Sequence, residues 1–345
     1  MIQLLSNSIA KNFKKIVISI CIWITGLGLF PSCTPTTVVP KQVEPTIYRS
    51  EDYILYQLQD TETPQELAEK FLGTQKTYWR IEEANPGVTF STGRFIVIPL
   101  KEKNKGGLNA EGYQVVPILT YHRFDETCLS QLCTPTHIFE KQMKYIYENG
   151  YHVITPEDLL AFLDYRQALP KKSVMITMDD GFRSVYKIAY PILKKYGFTA
   201  TLFVYTDYVG ISDSAVTWEQ LRDLKAHGFS IGSHTISHSD LTMKMESETD
   251  QNFSARIKKE LNGSKEIIDR ELGQDTYVLA YPFGNYDQRA IECTRQAGYK
   301  LAMSVKRGGN AFFTNPLSLK RDQILTEDMQ LFYLTLISLK KLPLE

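Results

Sequence analysis

The sequence predicts an α/β fold with a parallel β-sheet, and two observations support this prediction. From about residue 115 onward, short apolar runs typical of strands alternate with longer helical patterns. Repeated strand and helix units of this size favour a sheet closed as a (β/α) barrel. The alternative is an open doubly wound sheet, but no glycine-rich nucleotide loop follows the first strand. In a barrel, catalytic side chains gather at the carboxyl ends of the strands.

The elements of this part have local signals. Pro156 stands in the first turn of a predicted helix, where proline is preferred, Thr217 is a favourable N-cap, and Gly228 follows the end of that second helix. The predicted strands are 115–121, 152–154, 173–178, 200–204, 230–232, 277–280 and 301–305. The predicted helices are 138–149, 156–164, 184–196, 218–226, 253–272, 288–298 and 327–339.

The N-terminus carries an export signal. The first 32 residues contain three lysines and no acid, and residues 16–30 form an apolar run. A run of about 15 residues is short for a membrane-spanning helix and typical of a signal peptide. Ser32-Cys33 resembles the bacterial lipoprotein signal, in which the cysteine is lipidated and becomes the new N-terminus. We therefore expect 1–33 to direct an exported, membrane-anchored lipoprotein of the cell envelope; simple secretion and an uncleaved anchor are the alternatives.

The charge balance argues against a nucleic-acid partner. Without its first 32 residues the chain has 36 basic and 39 acidic side chains, a net charge of about −3. Nucleic-acid binding depends on a basic surface, which this composition does not imply.

The cysteines are few and widely spaced. In an oxidising compartment Cys128 and Cys133 could close a small disulfide loop, or remain two unpaired thiols, while Cys293 is expected in the apolar core. There is no Cys-x-x-Cys pair, which argues against a zinc ribbon or a thioredoxin-like motif.

A small unit precedes the barrel. Residues 34–47 form a Pro/Thr-rich tether, 48–100 contain a predicted strand, two helices and a second strand, and 101–114 form a charged, glycine-rich linker. The unit resembles a LysM domain, which implies binding of N-acetylglucosamine-containing glycans. Gln59 replaces a usual glycine, so a degenerate spacer domain is the alternative. The residues that carry the resemblance are Tyr56, Asp60-Thr61, Ala68, Phe71, Asn85-Pro86 and Ile98-Pro99.

Two polar motifs that follow predicted strands outline a metal site. Asp179-Asp180-Gly181 ends one strand, and His234 and His238 follow another. One Asp and two His leave coordination positions open, which suits a catalytic centre. Because successive side chains of an extended chain point to opposite sides, one carboxylate can reach the metal while its neighbour faces the reacting water. Either motif alone is weak, since Asp-Gly also marks ordinary turns and two such histidines can face solvent.

These motifs resemble those of the polysaccharide deacetylases of the NodB-homology type (carbohydrate esterase family 4). Thr177–Gly181 matches the motif Thr-Phe-Asp-Asp-Gly, and His234–His238 matches His-Ser/Thr-x-x-His. The resemblance covers about residues 115–340, including Leu119–His122 and Ala280–Gly284. It implies a distorted, seven-stranded (β/α) barrel that spans 115–345.

The resemblance also implies roles for single residues. Asp179 would be the catalytic base, and Asp180, His234 and His238 would hold a divalent metal. The backbone amide of Tyr281 would help to stabilise the oxyanion. The ligand set suits Zn²⁺, with Co²⁺, Ni²⁺ or Mn²⁺ also tolerated. The substrate would be a polymer of N-acetylglucosamine, such as peptidoglycan, a chitin-like chain or poly-β-1,6-N-acetylglucosamine.

The chain departs from the family pattern in two places. Many members have a late histidine that protonates the leaving amine, but none occurs here after His238. His122 is the candidate substitute, with a core histidine as the alternative. Ala280 stands where other members have an arginine that orients the base. Arg321 matches a late arginine of related members and is the candidate for that charge, with a surface arginine as the alternative.

Aromatic residues after strands are candidates for contact with sugar rings. The substrate-binding candidates are Pro282, Phe283 and Trp218. Tyr205 and Tyr286 also lie near strand ends and could stack on sugar rings. The alternative is that these aromatic residues belong to the core. The hypothesis is therefore a metal-dependent N-deacetylase. The alternatives are a glycan-binding cell-wall protein with a degenerate site and a metal amidohydrolase that acts on a non-sugar amide.

Overall fold

The computed structural model describes residues 47–102, 104–325 and 327–341. The predicted export signal with Cys33 and all of the tether but its last residue lie outside the described residues. Within those ranges no helix combines the length and the apolar character needed to cross a bilayer.

The small N-terminal unit is a three-stranded antiparallel sheet covered by two helices. Its core is apolar, and Tyr56, Leu67 and Ile96 are fully buried in it. Helix α1 begins with a capping box in which Thr63 and Glu66 satisfy each other's backbone amides, and it ends at Gly73 in a left-handed conformation. The elements are β1 (Ile47–Arg49), β2 (Tyr53–Gln57), α1 (Pro64–Leu72), α2 (Tyr78–Ala84) and β3 (Phe95–Pro99), with sheet order β1-β2-β3.

The second part is a curled sheet of parallel strands with helices outside it, so the predicted α/β barrel is confirmed. Its strands are β4 (Leu108–Asn109), β5 (Gly112–Gln114), β6 (Ile118–Tyr121), β7 (Arg123–Asp125), β8 (Cys133–Pro135), β9 (His152–Val153), β10 (Ser173–Met178), β11 (Thr201–Val204), β12 (Ser230–Ser233), β13 (Val278–Ala280), β14 (Leu301–Met303), β15 (Asp322–Gln323) and β16 (Leu339–Lys341). Its helices are α3 (Thr136–Glu148), α4 (Pro156–Leu163), α5 (Tyr190–Lys195), α6 (Trp218–Ala226), α7 (Asp250–Leu272), α8 (Gln288–Gln296) and α9 (Met329–Thr335).

Seven strands follow one another around the main sheet in the order β14-β13-β12-β11-β10-β6-β15, and β9 pairs beside β10. All of these pairings are parallel. A parallel bridge between Met303 and Leu319 links β14 to the segment that leads into β15. The carboxyl ends of the strands therefore meet at one rim.

The alternation of side chains along β10 explains how the barrel separates core from site. Ile176 and Met178 pack in the cluster beneath the outer helices, whereas Met175 joins a separate interior cluster. Thr177 and Asp179 follow Met175 at alternate positions, and both are buried. The interior of the barrel is therefore apolar at its base and polar at the rim.

Short elements flank the barrel. The last helix is shorter than the predicted 327–339, because α9 spans Met329–Thr335. The chain becomes extended at Leu339, where β16 begins to pair with β5. Strands β7 and β8 pair beside a disulfide that joins Cys128 and Cys133. Cys293 is buried with a free thiol.

Gly232 tests the close packing inside the barrel. A Cβ atom at this position would lie 2.6 Å from the ring of Phe203 and 2.7 Å from Cγ2 of Val278. Gly232→Ala should therefore reduce the free energy of unfolding by about 1–3 kcal/mol, measured by urea denaturation. Ser230→Ala, on the same strand, is the control and should change it by less than about 0.5 kcal/mol. An unchanged value for Gly232→Ala would mean that the interior is looser than described.

Candidate active site

Three side chains that follow β10 and β12 face one another at the rim. The ligand atoms of Asp180, His234 and His238 all lie within 4.8 Å of one another. Oδ1 of Asp180 is 3.6 Å from Nε2 of His234 and 3.5 Å from Nε2 of His238. One carboxylate and two imidazoles at this spacing could share one divalent cation and leave coordination positions for water or substrate.

The backbone around this cluster is strained. Left-handed φ angles occur at Asp180 (71°), Thr235 (70°), His238 (61°) and Phe283 (58°), which are four of the six described non-glycine residues with positive φ. Such conformations persist only where the surrounding structure holds them, and they concentrate at functional sites. The left-handed turn at Asp180 redirects its carboxylate out of the regular alternation of β10.

The histidines are prepared to act as neutral ligands. Nδ1 of His234 donates a hydrogen bond to the carbonyl of Ala280 at 2.7 Å, which leaves Nε2 as the atom with a free lone pair. Burial lowers the pKa of His234 to about 4 and also lowers the pKa of His238. Both rings are therefore neutral at pH 7, the form that binds a metal.

The two adjacent carboxyl groups lie in opposite electrostatic environments. Burial and the charge of Asp179 raise the pKa of Asp180 to about 7. Burial also opposes ionisation of Asp179, but Arg321 and then His234 outweigh it, and its pKa falls to about 2. Asp179 is ionised at neutral pH without further help, whereas Asp180 is the carboxyl whose ionisation a bound cation would favour most.

Arg321 and Asp179 form a bidentate ion pair inside the barrel. Nη1 and Nη2 of Arg321 donate to the two oxygens of Asp179 at 2.8 and 2.7 Å, and the two residues are 0% and 1% exposed. The guanidinium also donates from Nε to the carbonyl of Ser304 at 2.9 Å and from Nη1 to the hydroxyl of Thr177 at 3.2 Å, and it lies over the ring of Phe203. Arg321 is thus a fully buried residue, and the surface alternative does not apply.

His122 lies at the same rim and is 8% exposed. Burial lowers the pKa of its imidazole, while the charge of Asp179 acts in the opposite direction. The ring is therefore neutral at pH 7 and close enough to Asp179 to feel its charge.

The third motif contributes less directly than the sequence suggests. The N–H of Tyr281 donates to the carbonyl of Met303 at 2.9 Å, and its hydroxyl donates to the carbonyl of Leu317. Because this amide is already bonded within the sheet, the predicted oxyanion contact of Tyr281 is wrong for this geometry. Pro282, the first residue of the turn after Tyr281, is buried.

Aromatic rings surround the cluster. Phe283 is 60% exposed, and its ring centroid is 4.6 Å from that of His238 in an edge-on arrangement. The ring centroid of Tyr205 lies 5.3 Å from that of His238, and Tyr205 stacks on Tyr208 at 5.1 Å. Trp218, in contrast, packs against the core beneath the helices. Apart from Trp218, these rings offer apolar faces beside the cluster.

Residues 166–302 match the family model named polysaccharide deacetylase. This part of the chain is therefore similar in sequence to the polysaccharide deacetylases. Relatives of this part include the Bacillus subtilis protein YxkH, which bears the polysaccharide deacetylase name, at 33% identity over 56% of this chain. Another is the poly-β-1,6-N-acetyl-D-glucosamine N-deacetylase of Staphylococcus aureus, at 29% identity over 49% of this chain. The chain spans 65% and 59% of the lengths of these two relatives.

Solved structures of deacetylases share this fold. The deacetylase PplD of Streptococcus pyogenes, determined with acetate, is 29% identical, with a TM-score of 0.59 over 65% of this chain and 98% of that chain. IcaB of Ammonifex degensii is 27% identical, with a TM-score of 0.56 over 61% of this chain and 92% of that chain.

Two contributors to the site were not predicted from the sequence. Thr177 accepts a hydrogen bond from Arg321 and donates one to the carbonyl of Leu119 at 2.8 Å. Glu260 on α7 accepts hydrogen bonds from the segment between the two histidines. The position of Thr177 two residues before Asp179 was an available signal, because it places both side chains on the same face of β10.

Arg321→Met tests the ion pair. Removing one partner leaves a buried charge, so the free energy of unfolding at pH 7 should fall by about 3–5 kcal/mol in urea denaturation. The pKa of Asp179 is lowered from 3.8 to about 2, so the pair contributes stability above pH 3.8 and loses it as pH falls toward 2. The deficit of the variant should therefore shrink in acid.

Arg307→Met is the control for this experiment. Arg307 pairs with Asp322 at 3.3 Å but its side chain is 74% exposed, so the loss should stay below about 1 kcal/mol. Equal effects of the two substitutions would contradict a special role for the buried pair.

Proposed function

We propose that this chain is a metal-dependent hydrolase that removes N-acetyl groups from an N-acetylglucosamine polysaccharide and releases acetate. The observation that carries the proposal is the ionised Asp179, held by Arg321, beside the cluster of Asp180, His234 and His238. A charged base next to a three-ligand site is the arrangement that amide hydrolysis by activated water requires.

The donor set fits a divalent ion. Two neutral imidazoles, one of them oriented by the carbonyl of Ala280, and one carboxylate suit Zn²⁺ and also tolerate Co²⁺, Ni²⁺ or Mn²⁺. When bound, such an ion supplies a Lewis acid for the acetyl carbonyl and increases the acidity of water.

The chain's own residues would then move the proton. Asp179, ionised at pH 7 and fixed by two hydrogen bonds from Arg321, accepts the proton of the attacking water. Cleavage of the C–N bond requires a proton on the leaving amine nitrogen. We propose that His122, which is neutral at rest, takes up the proton that Asp179 accepted from the water and donates it to that nitrogen, so that both side chains return to their resting charge.

The rim supports a sugar substrate. Phe283 and Tyr205 flank His238 on two sides, and sugar rings pack their C–H faces on exposed aromatic rings. Among the candidate polymers we propose poly-β-1,6-N-acetylglucosamine, because the Staphylococcus aureus relative is named for that substrate. Peptidoglycan and chitin-like chains are the comparison substrates.

Two further proposals concern location. Residues 48–100 are proposed to bind N-acetylglucosamine-containing glycan as a LysM-like domain, supported by their strand, helix, helix and strand order. Cys33 is proposed as the lipidated residue that anchors the protein in the cell envelope, supported by the apolar run and the Ser32-Cys33 pair of the sequence.

Acetate release from poly-β-1,6-N-acetylglucosamine is the direct test. We expect release that a chelator abolishes and Zn²⁺ or Co²⁺ restores. Asp179→Asn should reduce kcat by at least about 100-fold, since the base can no longer accept a proton. Asp213→Asn, whose carboxylate is fully exposed on a rim loop, is the control and should retain wild-type kcat.

The other outcomes identify the alternatives. Glycan binding without acetate release from any of the three polymers would support a degenerate site. Chelator-sensitive hydrolysis restricted to non-sugar amides would support an amidohydrolase of another class. Full turnover of Asp179→Asn would refute the assignment of the base.

Phe283→Ala tests the aromatic rim. Loss of a stacking surface worth about 1 kcal/mol or more should raise KM for the oligosaccharide roughly fivefold or more, while kcat changes less. Phe313→Ala removes another exposed ring, which contacts Tyr113 and Phe312 and none of the cluster residues, and should leave KM unchanged. Equal KM values for both variants would place substrate recognition elsewhere.

A further inference from the structure

Helix α7 carries a carboxylate where an apolar residue is expected. Glu260 is 8% exposed and lies on the buried face of the helix. The apolar residues of that face are Phe253, Ile257, Leu261, Ile268 and Leu272. A buried carboxylate persists only when its oxygens have partners, so the contacts of Glu260 indicate what it does.

Within the described residues, the hydrogen-bond partners of Glu260 belong to the segment between the two candidate metal ligands, and Arg256 on the same helix adds a favourable charge. One carboxylate oxygen accepts hydrogen bonds from the backbone N–H groups of Ile236 and Ser237 at 2.9 and 3.0 Å. The other accepts the hydroxyl of Ser237 at 2.8 Å. Charge-assisted hydrogen bonds of this kind are stronger than neutral ones, so the segment is held firmly against α7.

Neighbouring positions on α7 contact the same segment and the end of β12 just before it. Gly263 lies against Ile236, and a Cβ atom there would meet Cδ1 of Ile236 at 2.6 Å. Ser264, one turn after Glu260, pairs with the hydroxyl of Ser233, the last residue of β12, at 2.7 Å. The helix therefore contacts the segment at Glu260 and Gly263 and the strand that leads into it at Ser264.

The opposite side of the segment is bonded to the loop after β11. The N–H groups of Thr206 and Asp207 donate to the carbonyls of Thr235 and Ile236 at 3.1 and 2.9 Å. The loop after β11 thus donates to carbonyls of the segment, and Glu260 accepts from its amides. Without Glu260, the amides of Ile236 and Ser237 would lose their acceptor and the left-handed turns at Thr235 and His238 would lose their support.

We propose that Glu260 is a positioning residue for the metal centre: its carboxylate fixes the Ile236-Ser237 backbone so that His234 and His238 face one cation. The inference rests on the proposed metal site, but it does not depend on which substrate is hydrolysed. It predicts that metal affinity, and not merely stability, depends on a side chain that never contacts the ion.

The test compares Glu260→Gln with Glu266→Gln in the full chain. Glu266 lies on the same helix and is exposed, so Glu266→Gln makes the same chemical change away from the segment between the histidines. Zn²⁺ affinity is measured by competition with a chromophoric chelator, and the visible spectrum of the Co²⁺ form reports ligand geometry. Glu260→Gln should bind Zn²⁺ about 10- to 100-fold more weakly with an altered Co²⁺ spectrum, and Glu266→Gln should match wild type.

The thermal unfolding of each metal-free variant separates positioning from simple destabilisation. A less stable Glu260→Gln protein with wild-type Zn²⁺ affinity and Co²⁺ spectrum would overturn the proposal. If Glu260→Gln does not fold, Ser237→Ala removes the hydroxyl contact with Glu260, together with one to Ser239, and keeps both backbone contacts; it should weaken Zn²⁺ binding about fivefold. Unchanged affinity in Ser237→Ala would then overturn it.

The same experiment keeps this inference distinct from the proposed function. Suppose that the wild-type protein binds Zn²⁺, that Glu260→Gln binds it more weakly, and that the wild-type protein releases no acetate from any polymer. This result would support the positioning role and reject the deacetylase. Failure of the wild-type protein to bind Zn²⁺ or Co²⁺ would reject both.

Discussion

The buried ion pair between Arg321 and Asp179 is the interaction on which the site depends. It joins the end of β10 to the segment that closes the barrel before β15, and both groups are removed from water. In that environment an unpaired carboxyl would stay protonated. Arg321 therefore stabilises the charged form of Asp179 at neutral pH, whereas burial and the charge of Asp179 raise the pKa of Asp180. The architecture of the barrel and the protonation state of the site are therefore linked through one contact.

The strained backbone near the site is held by hydrogen bonds from elements on both sides of it. Asp179 ends the regular part of β10, and the chain then turns through a left-handed residue at Asp180. Similar turns at Thr235 and His238 are held between α7 and the loop after β11. Rigid elements on each side thus keep the ligands in conformations that a free loop would leave. The precision of the site comes from these supports and not from the ligands alone.

Strand and helix periodicity favour a barrel, and the family resemblance decides between a barrel and an open sheet. The position of polar motifs after strands predicts the approach of Asp180, His234 and His238, because the ends of parallel strands meet at one rim. Other features depend on tertiary contacts. Arg321 lies 142 residues from Asp179, and only the family resemblance suggested their pairing. The sequence pattern does not distinguish Glu260 from the other charged residues of α7. The hydrogen bond of the Tyr281 amide follows from the register of β13 and β14.

The most direct test of the account is a crystal structure of the zinc-soaked protein, with data collected on both sides of the zinc absorption edge. The account predicts one anomalous peak about 2.0–2.2 Å from a carboxylate oxygen of Asp180 and from Nε2 of His234 and His238. Asp179 should remain paired with Arg321 and outside the coordination sphere. Zinc bound at a different set of side chains, or Asp179 drawn from Arg321 onto the ion, would contradict it.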